Sequence, residues 1–338
     1  MNDIKNYTFE ELQETLSQNN RPRFLASQVF NWVYKKRITD FTLMSDISKE
    51  NRIFLADNFY LSRFQLLKRE VSRDKTEKFL FELKDKNSIE TVLIPEMSRY
   101  TLCLSTQVGC KYKCSFCISG ESGLKRNLEP EEIINQYLEV ALIIAPRDIT
   151  NLVFMGIGEP LDNFDNVVKA IKLLISPKGL NFSKRRISLS TCGLAPEIEK
   201  LAGLNLGIKL SVSLHSANNE IRSQIMPVNK KYSLERLMAA VKKYSFLQRY
   251  PVTLEYIMIK GINISIKDAK DLVKLLNAIK CKLNLIAYNG SKQTRIPSGE
   301  EIATFKAELN KKGIFATLRK SKGQDINAAC GQLKAIFS

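Results

Sequence analysis

Cys110, Cys114 and Cys117 fall within eight residues of one another, in the spacing C-x3-C-x2-C. Thiols that close along a chain serve a metal more often than a hydrophobic core. The spacing fits a zinc ribbon poorly, because ribbons pair two C-x2-C knuckles and this chain has no second one. Three thiolates suit a 4Fe-4S cluster whose fourth iron is open to a small molecule. A zinc site of the three cysteines with His215 is the alternative. His215 is the single histidine, so H-E-x-x-H sites and His-rich metal cages are excluded, and a Ser-His-Asp triad would have to use it.

A second cluster of chemistry follows at Phe154-Met155-Gly156-Ile157-Gly158-Glu159-Pro160. Its glycines let a backbone approach a ligand closely. It is not a dinucleotide fingerprint, because the last glycine of G-x-G-x-x-G is missing. The plainer reading is a tight turn with a helix-capping glutamate. Polar groups recur further on at Ser190-Thr191, at Ser213-Leu214-His215 and at Asn289. Four more cysteines, Cys103, Cys192, Cys281 and Cys330, each read alone as a small buried hydrophobe. Glu90, in Ile89-Glu90-Thr91-Val92, reads alone as a solvent-facing strand residue.

These groups need elements to hold them. Residues 1 to about 75 read as helical, with apolar spacing of i, i+3 and i+4 over Phe9–Leu16 and Phe24–Val33. Lys78–Leu83 and Ile89–Ile94 alternate as strands around a turn at residues 84–88, a hairpin linker over about 76–100. From Thr101 the rhythm becomes strand then helix. Strands are expected at Thr101–Ser105, Asn151–Met155, Arg186–Ser190, Ile208–Leu214, Val252–Met258, Lys282–Ala287 and Ile314–Arg319. Helices are expected at Pro130–Ile144, Asp165–Leu174, Leu234–Ser245 and Lys267–Ala278, and Asp325 is expected to cap a last one. Six or seven such units imply an α/β fold with a parallel sheet, either doubly wound or a partial or full TIM-like barrel over 101–338. In either, functional groups gather at the C-terminal ends of strands. The cysteine loop, the glycine run and the polar pairs all stand at such ends.

The chain has 338 residues and 52 Lys and Arg against 35 Asp and Glu, a net charge of +17. The excess occurs in pairs such as Lys125–Arg126, Lys242–Lys243 and Arg319–Lys322. A polyanion is the natural partner, nucleic acid first, against the plainer reading of a generally basic surface. No apolar run is long enough to span a membrane and Met1–Asn20 has no apolar signal core, so a cytoplasmic protein is expected. Nothing in the sequence demands more than a monomer.

The cysteine loop, with Phe116 before its last Cys, resembles the radical S-adenosylmethionine (SAM) superfamily. Gly156–Pro160 is similar to that superfamily's G-G-E-P motif, whose backbone and glutamate contact the SAM amino group. Five stretches further resemble the RlmN/Cfr family of RNA adenine methyltransferases: Cys103–Cys110, Gly123–Leu128, Phe154–Leu161, Val212–His215 and Asp325–Leu333. The similarity runs from about residue 20 to the end.

The resemblance implies a 4Fe-4S cluster on Cys110, Cys114 and Cys117. It implies SAM, two per turnover, held by Gly158, Glu159, Ser190, Ser213, Leu214, His215 and Asn289. It implies that Cys330 takes a methyl group from one SAM, and that a radical from the second activates that methyl to add to adenine. Cys103 then releases the product as a disulfide with Cys330, and Glu90 takes the adenine proton. The implied partners are large-subunit rRNA, tRNA next to the anticodon, and an electron donor such as flavodoxin or ferredoxin, with the N-terminal helical piece as an RNA clamp. Pro160 with Leu161 looks more like the branch that methylates C2 of adenine; methylation at C8 is the runner-up. Departures from the family pattern lie at residues 119–122, at Leu285–Asn289, which lacks a proline, and in a short connection from 289 to 300. The rival from another class is a non-catalytic RNA-binding protein with a structural metal.

Overall fold

The computed structural model describes residues 1–277, 279–289 and 295–335. Ala278, expected to end a helix, and residues 290–294 of the short connection lie outside the described residues.

The N-terminal piece is a small helical unit with its own core. β1 (Asn2–Asp3) comes first, followed by α1 (Phe9–Gln18). Helix α1 starts where Thr8 accepts the Glu11 N–H and Glu11 accepts the Thr8 N–H, a reciprocal cap that fixes its first turn. α2 (Leu25–Phe30) runs on as a π turn through Lys35, and α3 (Lys49–Asn58) follows. β2 (Phe59–Tyr60) then pairs in parallel with β1 and closes the unit. Leu12, Leu16, Val29, Phe30, Met44 and Leu55 fill its centre.

Helical structure stops there rather than at about 75. Gln65–Val71 is a strand, β3, at the edge of the main sheet. An edge strand with almost every side chain exposed shows no apolar alternation, so its sequence gave no strand signal. Its charges instead pair along the sheet, Lys68 with Glu70 and Arg69 with Glu77 on the next strand. β4 (Glu77–Glu82) and β5 (Ser88–Glu96) form the expected hairpin, and β6 (Arg99–Cys103) joins β5 antiparallel.

From β6 the sheet turns parallel. A short ribbon, β7 (Gln107–Gly109) with β8 (Leu124–Asn127), brackets the cysteine loop. Then α4 (Pro130–Ile143), β9 (Asn151–Phe154), α5 (Phe164–Ile175), β10 (Ile187–Thr191), α6 (Ala195–Gly203) and β11 (Lys209–Ser213) alternate. α7 (Asn219–Ile225) and α8 (Leu234–Leu247) lead to β12 (Val252–Met258), α9 (Ile266–Leu276), β13 (Cys281–Ala287), α10 (Gly299–Lys311) and β14 (Ala316–Arg319). Among the described residues the sheet order is β14-β13-β12-β11-β10-β9-β6-β5-β4-β3. β14 and β3 are therefore edges and do not pair, so the barrel is partial, which decides between the expected architectures. Residues on the parallel strands such as Leu152, Phe154, Leu189, Val212, Leu254 and Leu285 are fully buried between sheet and helices.

Among the described residues past β14, Asp325 caps no last helix and the chain makes only a single 3-10 turn, Gln324–Ile326. Asp325 accepts from the Ser72 hydroxyl (2.5 Å) and the Arg73 N–H (3.1 Å), and Asp74 accepts the Gly323 N–H (3.0 Å). The carboxylate that looked like a helix cap pins the tail to the turn between β3 and β4 instead.

Candidate active site

The C-terminal ends of the parallel strands open into one cleft of about 920 Å3. Cys110, Cys114 and Cys117 line it, with Gly158, Glu159, Ser190, Ser213, His215 and Cys330. Nine of the thirteen residues singled out from sequence thus meet on one surface. A second cavity adjoins it and is lined by Cys103 and again by Cys330. Met155, Ile286, Arg319 and Cys330 belong to both, so they form the wall between them.

The remaining three residues lie elsewhere. Leu214 is buried beneath the cleft, its N–H on the Glu255 carbonyl and its carbonyl on Arg222. Asn289 donates to the Ser321 hydroxyl (2.6 Å), accepts from Gln324 (2.7 Å), and offers its carbonyl to Gln332 (2.9 Å). Glu90 is buried rather than solvent-facing. Lys78 pairs with one carboxylate oxygen at 3.0 Å, and the Lys334 N–H donates to the other at 2.8 Å.

The glycine run is shaped by close approach. Gly158 has φ +101°, and a Cβ there would lie 2.5 Å from the Gln107 Cβ. Gly156 faces Leu104 and Ser105 just as tightly. Only glycine fits either place. The turn aims Glu159 inward: its oxygens accept the N–H groups of Leu161 (3.0 Å) and Cys192 (2.7 Å). Burial raises the Glu159 carboxyl above its ordinary range, and these donors oppose the shift.

His215 has φ +58° and lies wholly inside. Its Nδ1 accepts the Ile257 N–H at 3.0 Å, and its ring meets Phe116 edge-on at 4.7 Å. Burial and the nearby Arg222 push it down to about 3. The imidazole is therefore neutral at physiological pH, with its proton on Nε2 as a donor. His215 is a poor zinc ligand here, because the nitrogen that accepts a main-chain N–H is already used.

Three residues that sequence reasoning missed hold the site together. Arg222, fully buried, donates to the carbonyls of Cys192, Ser213 and Leu214 and to Asn229. It thereby locks the ends of β10 and β11, and burial lowers it only to about 10, so it stays cationic. Glu255 on β12 lines the cleft and accepts from Asn284 at 3.1 Å, and among the described residues its second, buried oxygen has no hydrogen-bond partner. Arg319 ends β14 in the shared wall. Arg319 sits in a run rich in charge, Arg222 sits in a mainly uncharged polar stretch, and Glu255 sits in an apolar strand. Only Glu255, a lone acid within Val252–Met258, carried a signal that could have been read.

The residues fit the cofactors their chemistry suggests. Burial pushes the Cys110 thiol up to about 12 and raises Cys114 and Cys117 as well, a state that binding iron reverses by displacing the protons. Among the described residues no three His, Cys, Asp or Glu side chains converge tightly enough for a single ion; a four-iron cube takes thiols set wider apart. Beside them Glu159 can take an ammonium, while Ser190, Ser213 and the free Glu255 oxygen can take hydroxyls. Phe154, Met155, Ile257 and Ile286 supply apolar wall.

Comparison with known proteins gives the same class. Residues 104–276 match the Radical SAM superfamily, and residues 2–61 match the ribosomal RNA large subunit methyltransferase N-terminal domain. The structure superposes on that of a radical SAM methyltransferase from Sphaerobacter thermophilus with a TM-score of 0.92 and 39% identity, over 98% of this chain and 99% of that one. The fold is that of a radical SAM enzyme, a class that uses a 4Fe-4S cluster and SAM. The dual-specificity RNA methyltransferase RlmN of Syntrophotalea carbinolica is 47% identical over 98% of this chain and 89% of that protein. The RlmN of Campylobacter lari is 45% identical over 99% of this chain and 98% of that one. The chain belongs to the RlmN family of radical SAM methyltransferases.

Proposed function

We propose that the protein methylates C2 of an adenosine in large-subunit rRNA and in tRNA, using Cys330 as the methyl carrier. One observation carries the reading: Cys330 stands in the wall between the cofactor cleft and the cavity that holds Cys103. A carrier must face a methyl donor on one side and an acceptor on the other.

The cluster and SAM, when bound, supply a methyl group and a 5′-deoxyadenosyl radical. Cys110, Cys114 and Cys117 hold the cluster, Glu159 orients the SAM amino group, and Ser190 and Ser213 meet its ribose. Cys330 presents its methyl sulfur to the cleft. The base enters from the second cavity, out of its stack, as enzymes acting on a base require. Carbon would bond to C2, the C2 proton would pass to Glu90, and the one electron the ring gives up would return to the cluster, which had given one electron in cleaving SAM. Glu90 becomes free for this when the chain at Lys334 moves off its carboxylate. Cys103 then breaks the bond between carrier and base. An electron-poor ring carbon is no nucleophile toward a sulfonium, which explains why two reagent cysteines are needed.

Alanine variants test the scheme. Cys330→Ala should transfer no methyl group. Cys103→Ala should methylate Cys330 and then accumulate a covalent protein–RNA adduct, seen as a shifted band destroyed by nuclease. An active Cys330→Ala enzyme would refute the carrier, and a Cys103→Ala enzyme that turns over without adduct would refute the resolving role. Methyl at C8 in the digested RNA would assign the alternative specificity.

A further inference from the structure

Arg319 is the one charged side chain in the wall shared by the two cavities, among the described residues. It ends β14, opposite Ile286 of β13. Among the described residues its guanidinium has no ion-pair partner and donates only to the Met155 sulfur, at 3.8 Å. A guanidinium is strongly favoured to find carboxylate or backbone oxygen when buried, so one left beside a thioether is held for another anion. The groups whose charge reaches it are Cys330, Glu255, Cys103 and Glu96. Two of the four are the cysteines of the proposed reaction.

We propose that Arg319 is a positioning residue for product release, holding Cys103 in its thiolate form beside Cys330. The inference rests on the reading that Cys103 resolves the adduct. The release step itself balances. The Cys103 thiolate attacks the Cys330 sulfur, a sulfur–sulfur bond forms, and the bond from Cys330 sulfur to the methylene carbon breaks. The electron pair goes to that carbon, where the adenine ring delocalises it, and the carbon takes a proton to become methyl. A dithiol reductant then returns the disulfide to two thiols.

The step needs a thiolate, and the site disfavours one. Cys103 is 6% exposed. Burial and the nearby Cys330 push its thiol up to about 12, while Arg319 pulls it back. The charged and titratable groups around Cys103 are few. Glu96 on β5, Arg319 on β14, Lys320 and Lys322 beyond it, and Cys330 in the tail share its cavity. Of these cations, only Arg319 registers on the Cys103 thiol. The same charge suits both partners of the exchange, since Cys330 gains and loses sulfur–carbon bonds within its reach.

The test uses cluster-loaded protein, in which iron shields Cys110, Cys114 and Cys117. Alkylation of Cys103 by iodoacetamide is followed by peptide mass spectrometry between pH 7 and 9.5. In Arg319→Met and Arg319→Gln the line of log rate against pH should move to higher pH by about one unit, a tenfold lower rate at fixed pH. Arg319→Lys, which keeps the charge, should recover most of it. During turnover Arg319→Met should still methylate Cys330 and should accumulate the RNA adduct as Cys103→Ala does. An unmoved pH line in either neutral variant overturns the proposal. If Cys103→Ala itself gives no adduct, the resolving reading fails, and the alkylation line still decides what Arg319 does to Cys103.

Discussion

At the scale of single residues the account depends on buried polar groups more than on the cysteines alone. Arg222→Met would strip the donor from three carbonyls and from Asn229 in the interior. Each abandoned buried acceptor costs about 1–3 kcal/mol. We expect a loss of about 3 kcal/mol or more in urea unfolding, and weaker SAM binding because Ser213 and Leu214 lose their anchor. Gly158→Ala meets both a positive φ and a Gln107 Cβ at 2.5 Å, so the turn that carries Glu159 must shift. Calorimetry should show SAM affinity falling by about tenfold or more, since an ångström of misplacement is costly at a preorganised site. The cysteine loop and the glycine run were readable from spacing, because covalent proximity already brings those residues together. Arg319 was not, because its partner lies far along the chain, and Arg222 was not, because its partners are mostly backbone carbonyls that leave no mark in the sequence, whereas Glu255 stood out as a lone acid in an apolar strand. Glu90 was misread locally: its carboxylate meets Lys78 across the sheet and Lys334 from the tail, contacts that no local pattern encodes.

At the scale of elements, two attachments matter. The tail bearing Cys330 is held by Asp325 and Asp74 on one side, and by Ser119 and Ile118 bonding to Leu333 and Gly331 on the other. Asp325→Ala should leave cluster loading and melting temperature unchanged while slowing methyl transfer to Cys330 by about tenfold, read by mass spectrometry of the Cys330 peptide. The second attachment is the seat of the N-terminal unit on α4. There burial, Glu132 and Asp3 push Glu131 up to about 7 from 4.5, and among the described residues one of its oxygens has no hydrogen-bond partner. Folding then favours the protonated acid. The folded protein holds this proton above pH 4.5 where the unfolded chain has lost it, so stability falls as pH rises from 4.5 through about 7. Glu131→Gln should flatten that slope and raise stability at pH 8 by on the order of 1–3 kcal/mol in urea melts. The repeating strands and helices were legible because fully buried parallel strands are short apolar runs between amphipathic helices. β3 was not, being an exposed charged edge, and neither was the purely hydrogen-bonded tail.

At the scale of the whole molecule, no helix of the described residues is long and apolar enough to cross a membrane, and the net charge is +17. That charge should make RNA binding fall steeply with salt: for six or more phosphates neutralised, on the order of a thousandfold between 50 and 200 mM. A flat salt dependence in filter binding would contradict a backbone-held substrate. An open sheet with an antiparallel edge leaves one side of the cleft uncovered by barrel, and the tail with Cys330 and the strand with Glu90 occupy that side. Cys330, the proposed methyl carrier, is thus brought to the cleft by the parts of the molecule that are not barrel.

The central claim is that the methyl group rests on Cys330 before it reaches RNA and loses a hydrogen there. SAM carrying a trideuterated methyl tests it in one experiment, with mass spectrometry of the digested RNA and of the released 5′-deoxyadenosine. The account predicts a methyladenosine with two deuteriums and one solvent hydrogen, and 5′-deoxyadenosine with one deuterium. A product methyl with all three deuteriums would mean direct transfer from SAM and would contradict it.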